Sequence, residues 1–319
     1  MNNIASLLRE KKYEEALAAS EEVLKTDPQN AKVLEYKAIA LKKTGKLRDA
    51  LKVYDQVLEL TPDNGDTWFN RAICIRAMND REMHDEASRS YQMAVTVDPS
   101  CSDAYQNQGN VSSRIADCAG DARMAEKWFR NSEEAYRNAI RSNNNAELHC
   151  NIADLYVKQK RMEEAVSETI IAQELDPSYQ PVYYIRGYAQ MSQGKLKEAI
   201  DSFDQAIAAD PQSGWSMRSL INKGICQFDS GDPEKALETF EKAGSMDPED
   251  FEEFIYMSKA NAMYNIAFIK KQQGDMESSA KYLKKSQEYD YKFQLEHWMY
   301  EPRKEITGPA AKNDEHIRD

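Results

Sequence analysis

QPVYYIRGYAQMSQGKLKEAIDSFDQAIAADPQS, residues 180–213, decides the fold. Its skeleton is Tyr183, Gly187, Gly194, Ala199, Phe203, Ala206 and Pro211. Gly187 and Ala199 are small where two helices cross, because backbones approach only where side chains are short. Tyr183 and Phe203 fill the space on either side of that crossing. Gly194 stands where the first helix must stop, and glycine tolerates the left-handed conformation of such a stop. Pro211 ends the second helix, since its ring and missing N–H cannot continue the ladder. A single hairpin cannot bury its own apolar stripe, so this unit needs stacked neighbours.

The neighbours are present in the chain. Residues 31–64 repeat the pattern with Leu34, Ala38, Gly45, Ala50, Tyr54 and Pro62, and 65–101 with Trp68, Ala72, Ala87, Tyr91, Ala94 and Pro99, plus three extra residues between the helices. Residues 1–30 hold a first copy that lacks its opening three positions. Residues 102–145 begin with Tyr105 and Gly109, carry an insertion around CAGDARMAEKWF, and resume with Tyr136 and Ala139, with Asn144 in place of the closing Pro. There the spacing of Met124, Trp128, Ala135 and Ala139 predicts a second helix extended at its N-terminal end. Trp128 and Phe129 on that extension either pack on the preceding loop or mark a second contact site. Residues 146–179 are regular, 214–250 have a three-residue lead-in, and 251–291 open early, with Asp250 as N-cap. A helix at 292–300 is expected to cap the array, and the charged tail 301–319 to be disordered.

A large residue, a Gly four on, then A-x3-F and a Pro, in units of 34 residues, resembles the tetratricopeptide repeat (TPR). The resemblance implies an all-α, right-handed superhelical solenoid of about eight TPR hairpins, spanning residues 1–300 with the capping helix. It also implies that the first helix of each hairpin lines a concave groove, with positions 2, 5, 6, 9 and 12 pointing inward.

Position 6 along the array reads Asn2, Tyr36, Asn70, Asn107, Asn151, Ile185, Asn222 and Asn265. Asn is 18 of 319 residues, so eight positions drawn at random would hold fewer than one. Asn costs a helix up to ~0.7 kcal/mol against Ala, which asks for an offsetting role. A carboxamide carries donor and acceptor and is able to grip the N–H and C=O of an extended peptide. This ladder is similar to that of the peroxisomal targeting-signal receptor and of the repeat half of O-linked N-acetylglucosamine transferase. The resemblance implies that Asn70, Asn107, Asn151, Asn222 and Asn265 hold ligand backbone; the alternative is that these side chains bridge neighbouring first helices or hold water in the groove. Phe69, Tyr184, Tyr188, Tyr264 and Phe268 are placed to form side-chain pockets, and Asn110 adds polar character. Asp66, Asp103 and Asp154 suit a ligand with some basic residues. The expected function is therefore a protein-interaction scaffold that binds an extended peptide. The alternative is a self-assembling scaffold that uses the convex face and the Trp128/Phe129 extension.

Other classes fare worse. With 54 acidic against 42 basic residues and a net charge of −12, the chain repels phosphate backbones, so nucleic acid is not expected. Co-chaperones of this family clamp acidic chaperone tails with Lys and Asn, but Met1, Ala5, Tyr36, Asp66 and Asn70 occupy the matching places and Arg218 lacks the right partners. Chaperone-tail binding is not expected. Cys74, Cys101, Cys118, Cys150 and Cys226 show no C-x-x-C pairing and read as reduced thiols of a cytoplasmic protein. No signal peptide or membrane span is expected. His84, His149, His297 and His316 are scattered, and no H-E-x-x-H, phosphate loop or nucleophile elbow occurs. No catalytic residue, metal or cofactor is predicted.

Overall fold

The computed structural model describes residues 2–78, 80–248 and 255–296. Among these, the chain is all-α and contains no strand. It divides into two compact units, Met1–Asn144 and Asn145–Asp319. The division falls at the Asn143–Asn145 run, where the closing Pro of the repeat is missing.

The first unit holds four hairpins: α1 (Asn2–Arg9) with α2 (Tyr13–Leu24), α3 (Ala31–Lys43) with α4 (Leu47–Leu60), α5 (Gly65–Ala77) with α6 (His84–Val97), and α7 (Ser102–Cys118) with α8 (Ala122–Ser142). The second holds α9 (Ala146–Lys158) with α10 (Met162–Leu175), α11 (Pro181–Ser192) with α12 (Leu196–Ala209), α13 (Gly214–Asp229) with α14 (Pro233–Ser245), and α15 (Ile255–Gln272) with α16 (Met276–Glu296). The hairpins begin and end where the sequence asks. Asn30, Asn64, Asn145 and Ser213 cap helix starts by accepting the backbone N–H of Val33, Thr67, Leu148 and Ser216 at 2.9–3.1 Å. Gly194 turns the chain after α11 with φ +76°.

Within a hairpin, a ring of the second helix fills the space left by a missing side chain in the first. A Cβ on Gly187 would lie 2.7 Å from the Phe203 ring, and one on Gly109 would lie 2.5 Å from Tyr136. Phe203 and Phe240 are fully buried in this way, and Tyr54 and Tyr91 are fully buried in their own hairpins, each burial being worth roughly 1.5–3 kcal/mol. The first helices also touch one another along each unit: α1 on α3, α3 on α5, α9 on α11, α11 on α13 and α13 on α15.

The departures from regularity have local causes. The extra residues before α6 form a short 3-10 turn, Arg81–Met83. The insertion at 118–130 lengthens both helices of its hairpin rather than the second alone. Three residues, Ala119, Gly120 and Asp121, separate the two helices, and Asp121 caps the new start by accepting from the Arg123 N–H at 3.1 Å. Trp128 and Phe129 are half-buried on it. Ser279, where Ala is usual, donates to the Ala267 carbonyl at 2.8 Å and so belongs to the helix crossing. The helix of the last hairpin runs unbroken into the expected cap as far as Glu296. Asp250, the rest of the cap and the tail 301–319 lie outside the described residues.

Candidate binding groove

The position-6 side chains fall into different environments. In the first unit Asn70 and Asn107 are already engaged. Asn70 accepts from Lys42 Nζ at 2.8 Å and donates to the Asp66 carbonyl at 2.9 Å. Asn107 accepts from Arg76 Nη1 at 2.5 Å and donates to the Asp103 carbonyl at 2.8 Å. Asn110 accepts the Tyr136 hydroxyl at 2.7 Å inside its own hairpin. Phe69 meets Tyr91 edge-on at 5.9 Å and is half-buried, packed against the core of its hairpin.

In the second unit, a cleft of about 880 Å³ crosses the first helices of three hairpins. Asn151 and Asp154 of α9, Tyr184, Ile185 and Tyr188 of α11, and Trp215 and Arg218 of α13 line it, with Lys158 and Lys160 at the end of α9. The Asn151 Nδ2 is buried without a hydrogen-bond partner, an exception among buried polar groups. The Tyr184 ring packs 5.2 Å from Trp215 and 6.2 Å from Phe203. Burial pushes the Tyr184 phenol up, against the nearby Arg218 charge. The Arg218 guanidinium lies 5.6 Å from the Tyr184 ring and 5.5 Å from that of Trp215. Asn222 sits behind this wall, buried, 3.4 Å from the Tyr184 hydroxyl.

The remaining candidates are elsewhere. Asn265 is 0% exposed and donates to the Asn261 carbonyl at 2.9 Å, so no ligand reaches it. Tyr264 and Phe268 line a separate cleft of about 200 Å³ against Met276 and Leu283 of α16. Of the acidic residues that suggested a basic ligand, Asp154 is paired with Lys158 at 3.5 Å. Sequence reasoning missed Trp215. Its signal was available: an aromatic one turn ahead of the repeat register, just after the N-cap Ser213, extends α13 and faces the groove. It also missed Lys42 and Arg76, each at position 12 of the hairpin before an engaged Asn. Among the described residues there is no metal-binding cluster and no helix long and apolar enough to cross a membrane.

Comparison with known proteins agrees with this architecture. Tetratricopeptide-repeat family models match residues 7–70 and 190–256, and 146–179 and 260–293, together more than half of the chain. A DnaJ homolog subfamily C member 7 homolog of Dictyostelium discoideum is 23% identical over 228 residues, covering 68% of this chain and 41% of the relative's own length. Two solved structures share the fold. The C-terminal part of a TPR repeat-containing protein from Cytophaga hutchinsonii aligns with a TM-score of 0.62 at 17% identity, over 79% of this chain and 96% of that one. A tetratricopeptide repeat protein from Parabacteroides merdae aligns with a TM-score of 0.58 at 16% identity, over 82% and 96%. Proteins of this kind generally act as protein–protein interaction scaffolds and are typically non-enzymatic. With the repeat skeleton, the helix hairpins and the family match in agreement, the chain belongs to the tetratricopeptide-repeat family.

Proposed function

We propose that the protein holds an extended segment of a partner protein in the groove of α9, α11 and α13. The observation that carries this reading is Asn151, whose unmet Nδ2 lies in the wall of a cleft large enough for several side chains. Reversing the carboxamide about its last torsion costs little and turns its N–H groups toward a ligand carbonyl. Tyr184, Tyr188 and Trp215 supply large, rigid contact area at low entropic cost. Asn222 acts at one remove, by positioning the Tyr184 hydroxyl. Asn70 and Asn107 retain one acceptor lone pair each and serve the stack first. A reducing, cytoplasmic setting suits the thiols of Cys74, Cys150 and Cys226, all buried in the hairpins.

The test is a fluorescence-anisotropy titration of the full chain against mixed-sequence peptides. Asn151→Ala with Tyr188→Ala is expected to weaken binding about tenfold or more, while Asn107→Ala leaves it unchanged. Retained affinity in the double variant would sink the reading. Self-assembly through the α7–α8 extension is the second reading, favoured by Met124, which is 52% exposed one turn before Trp128. Light scattering that rises with concentration, and falls in Met124→Lys, supports it; a monodisperse monomer removes it.

A further inference from the structure

The wall of a second cleft carries a charge that the chain does not answer. This cleft, of about 680 Å³, lies wholly within the first unit, between α4 and α6 and over the first half of α5. Leu58 of α4, Trp68 of α5 and Met93 of α6 give it an apolar lining. The Trp68 indole nitrogen is satisfied, donating to the Pro62 carbonyl at 2.9 Å, so what remains of the ring is apolar surface. Met93 is 39% exposed, and a thioether chain adapts to an irregular apolar partner.

The α4 wall is acidic. Asp55 and Glu59 stand one turn apart on it, a like-charge pair that costs the helix stability. Lys52, one turn before Asp55, is taken by Asp49 at 3.5 Å. Arg71 answers Asp55 at 2.7 Å, but it also serves Glu86 and Ser90, and its side chain is only 12% exposed. Glu59 is exposed and makes no hydrogen bond or ion pair among the described residues. The next charge along the chain, Asp63, has the same sign. On the α6 wall Arg89 is also unpaired, but Asp85 and Glu86 precede it by one turn on its own helix and balance it there. Glu59 has no such neighbour. A cation brought to it would lie at the edge of an apolar surface, where displaced water strengthens the attraction.

We propose that this cleft docks a segment of a partner protein that carries a large apolar side chain with a Lys or Arg beside it. The apolar side chain lies on Leu58, Trp68 and Met93, and the cation meets Glu59 and the second oxygen of Asp55. A second copy of this chain, with its net charge of −12, is the less suited occupant. The site is independent of the groove of α9, α11 and α13: it belongs to the other unit and its walls are second helices of their hairpins.

The experiment uses the full chain labelled with fluorotryptophan, whose fluorine NMR spectrum gives a signal for each tryptophan. Trp68→Phe and Trp215→Phe identify the signals of the two clefts. The probes are three pools of short peptides, random except for two adjacent positions. Those positions hold Leu and Arg in one pool, Leu and Glu in the second, and Ser and Arg in the third. The Leu–Arg pool is expected to move the Trp68 signal at about tenfold lower concentration than either other pool, and to weaken as salt rises. Glu59→Lys, at an exposed position with no partner to lose, is expected to weaken the Leu–Arg pool about tenfold and to strengthen the Leu–Glu pool. Glu198→Lys, exposed on α12 of the second unit, makes the same change of net charge and alters neither. A Trp68 signal that stays still, or that answers all three pools alike, overturns the inference. So does a ranking of the pools that survives Glu59→Lys. Movement of the Trp215 signal alone overturns it and leaves the peptide groove standing. A Trp68 signal that moves with protein concentration before any peptide is added overturns it in favour of a second copy.

Discussion

The ammonium of Lys42, in the last turn of α3, donates to the carboxamide oxygen of Asn70 on α5 at 2.8 Å. Arg76 repeats the arrangement with Asn107 one hairpin further on. In both cases the amide nitrogen turns back to the carbonyl four residues earlier. Asn70 and Asn107 are thus ties between the first helices of successive hairpins. In the second unit the places of Lys42 and Arg76 are held by Val157, Met191 and Phe228. No cation stands there to tie Ile185, Asn222 or Asn265 to the hairpin before. Asn151 differs in another way: it is its Nδ2, not its oxygen, that is buried without a partner.

The two kinds of Asn respond oppositely to truncation. Asn70→Ala strips Lys42 of a charge-assisted bond in a half-buried place and is expected to cost about 1–2 kcal/mol. Asn151→Ala removes a buried donor that had no partner, and is expected to be neutral or to stabilise by up to about 1 kcal/mol. Urea midpoints of the two variants decide it. Equal losses at both sites would mean that the Lys42 tie carries no special weight.

Close approach at the helix crossing makes a second prediction. A methyl on Gly187 meets the Phe203 ring at 2.7 Å, in the middle of a well-packed hairpin. Gly187→Ala is expected to destabilise by about 1–3 kcal/mol. Phe203→Leu in the same chain should recover part of that loss, because the smaller side chain leaves room for the added carbon. Thermal unfolding followed by circular dichroism reads both.

Arg71 carries the third. It donates to Asp55 at 2.7 Å, to Glu86 at 2.6 Å and to Ser90 at 2.7 Å, tying α4 and α6 to α5. The guanidinium side chain is 12% exposed, whereas both carboxylates are nearly half exposed. Arg71→Met is therefore expected to cost about 1–3 kcal/mol, since three acceptors lose a shared donor. Glu86→Gln is expected to cost less than about 1 kcal/mol, because Arg71 keeps Asp55 and Ser90. A larger loss from Glu86→Gln than from Arg71→Met would reverse the assignment of the centre of this cluster.

The hairpins were legible because each requirement is local. Gly187, Gly194, Ala199 and Pro211 answer to the backbone of one unit, and one unit is enough to read them. The fate of the asparagines was not, because spacing places a side chain on a face without saying what the adjacent hairpin offers it. Lys42 and Asn70 are 28 residues apart, and only pairing position 12 of one unit with position 6 of the next brings them together. Trp215 escaped for a different reason. The GWS lead-in stands outside the repeat register, but Ser213 caps it and adds a turn to α13. The long hairpin of α7 and α8 was half legible: the pattern of Met124, Trp128 and Ala135 showed one extended helix, while SSRIADC had too few apolar residues to show the other.

The thiols make the last prediction, and it concerns alkaline pH. Cys74 is buried and donates to the Leu47 carbonyl at 3.2 Å. Burial pushes its pKa up to about 11, and that of Cys150 up to about 12, from an ordinary value of 9.0. In the unfolded chain both ionise near the ordinary value. Between about pH 9 and pH 12 the native state therefore holds more protons than the unfolded one, and stability falls as pH rises. Burial acts in the same direction on the Tyr179 phenol, raised to about 12. Urea midpoints measured across this range are expected to decline, and the decline should be shallower in Cys74→Ala with Cys150→Ala. The same burial withholds the thiolate, so at neutral pH a thiol reagent should label exposed Cys118 first and leave Cys74, Cys150 and Cys226 until the chain unfolds. Rapid labelling of Cys150 in the native protein would show that α9 and α10 open far more readily than their packing implies.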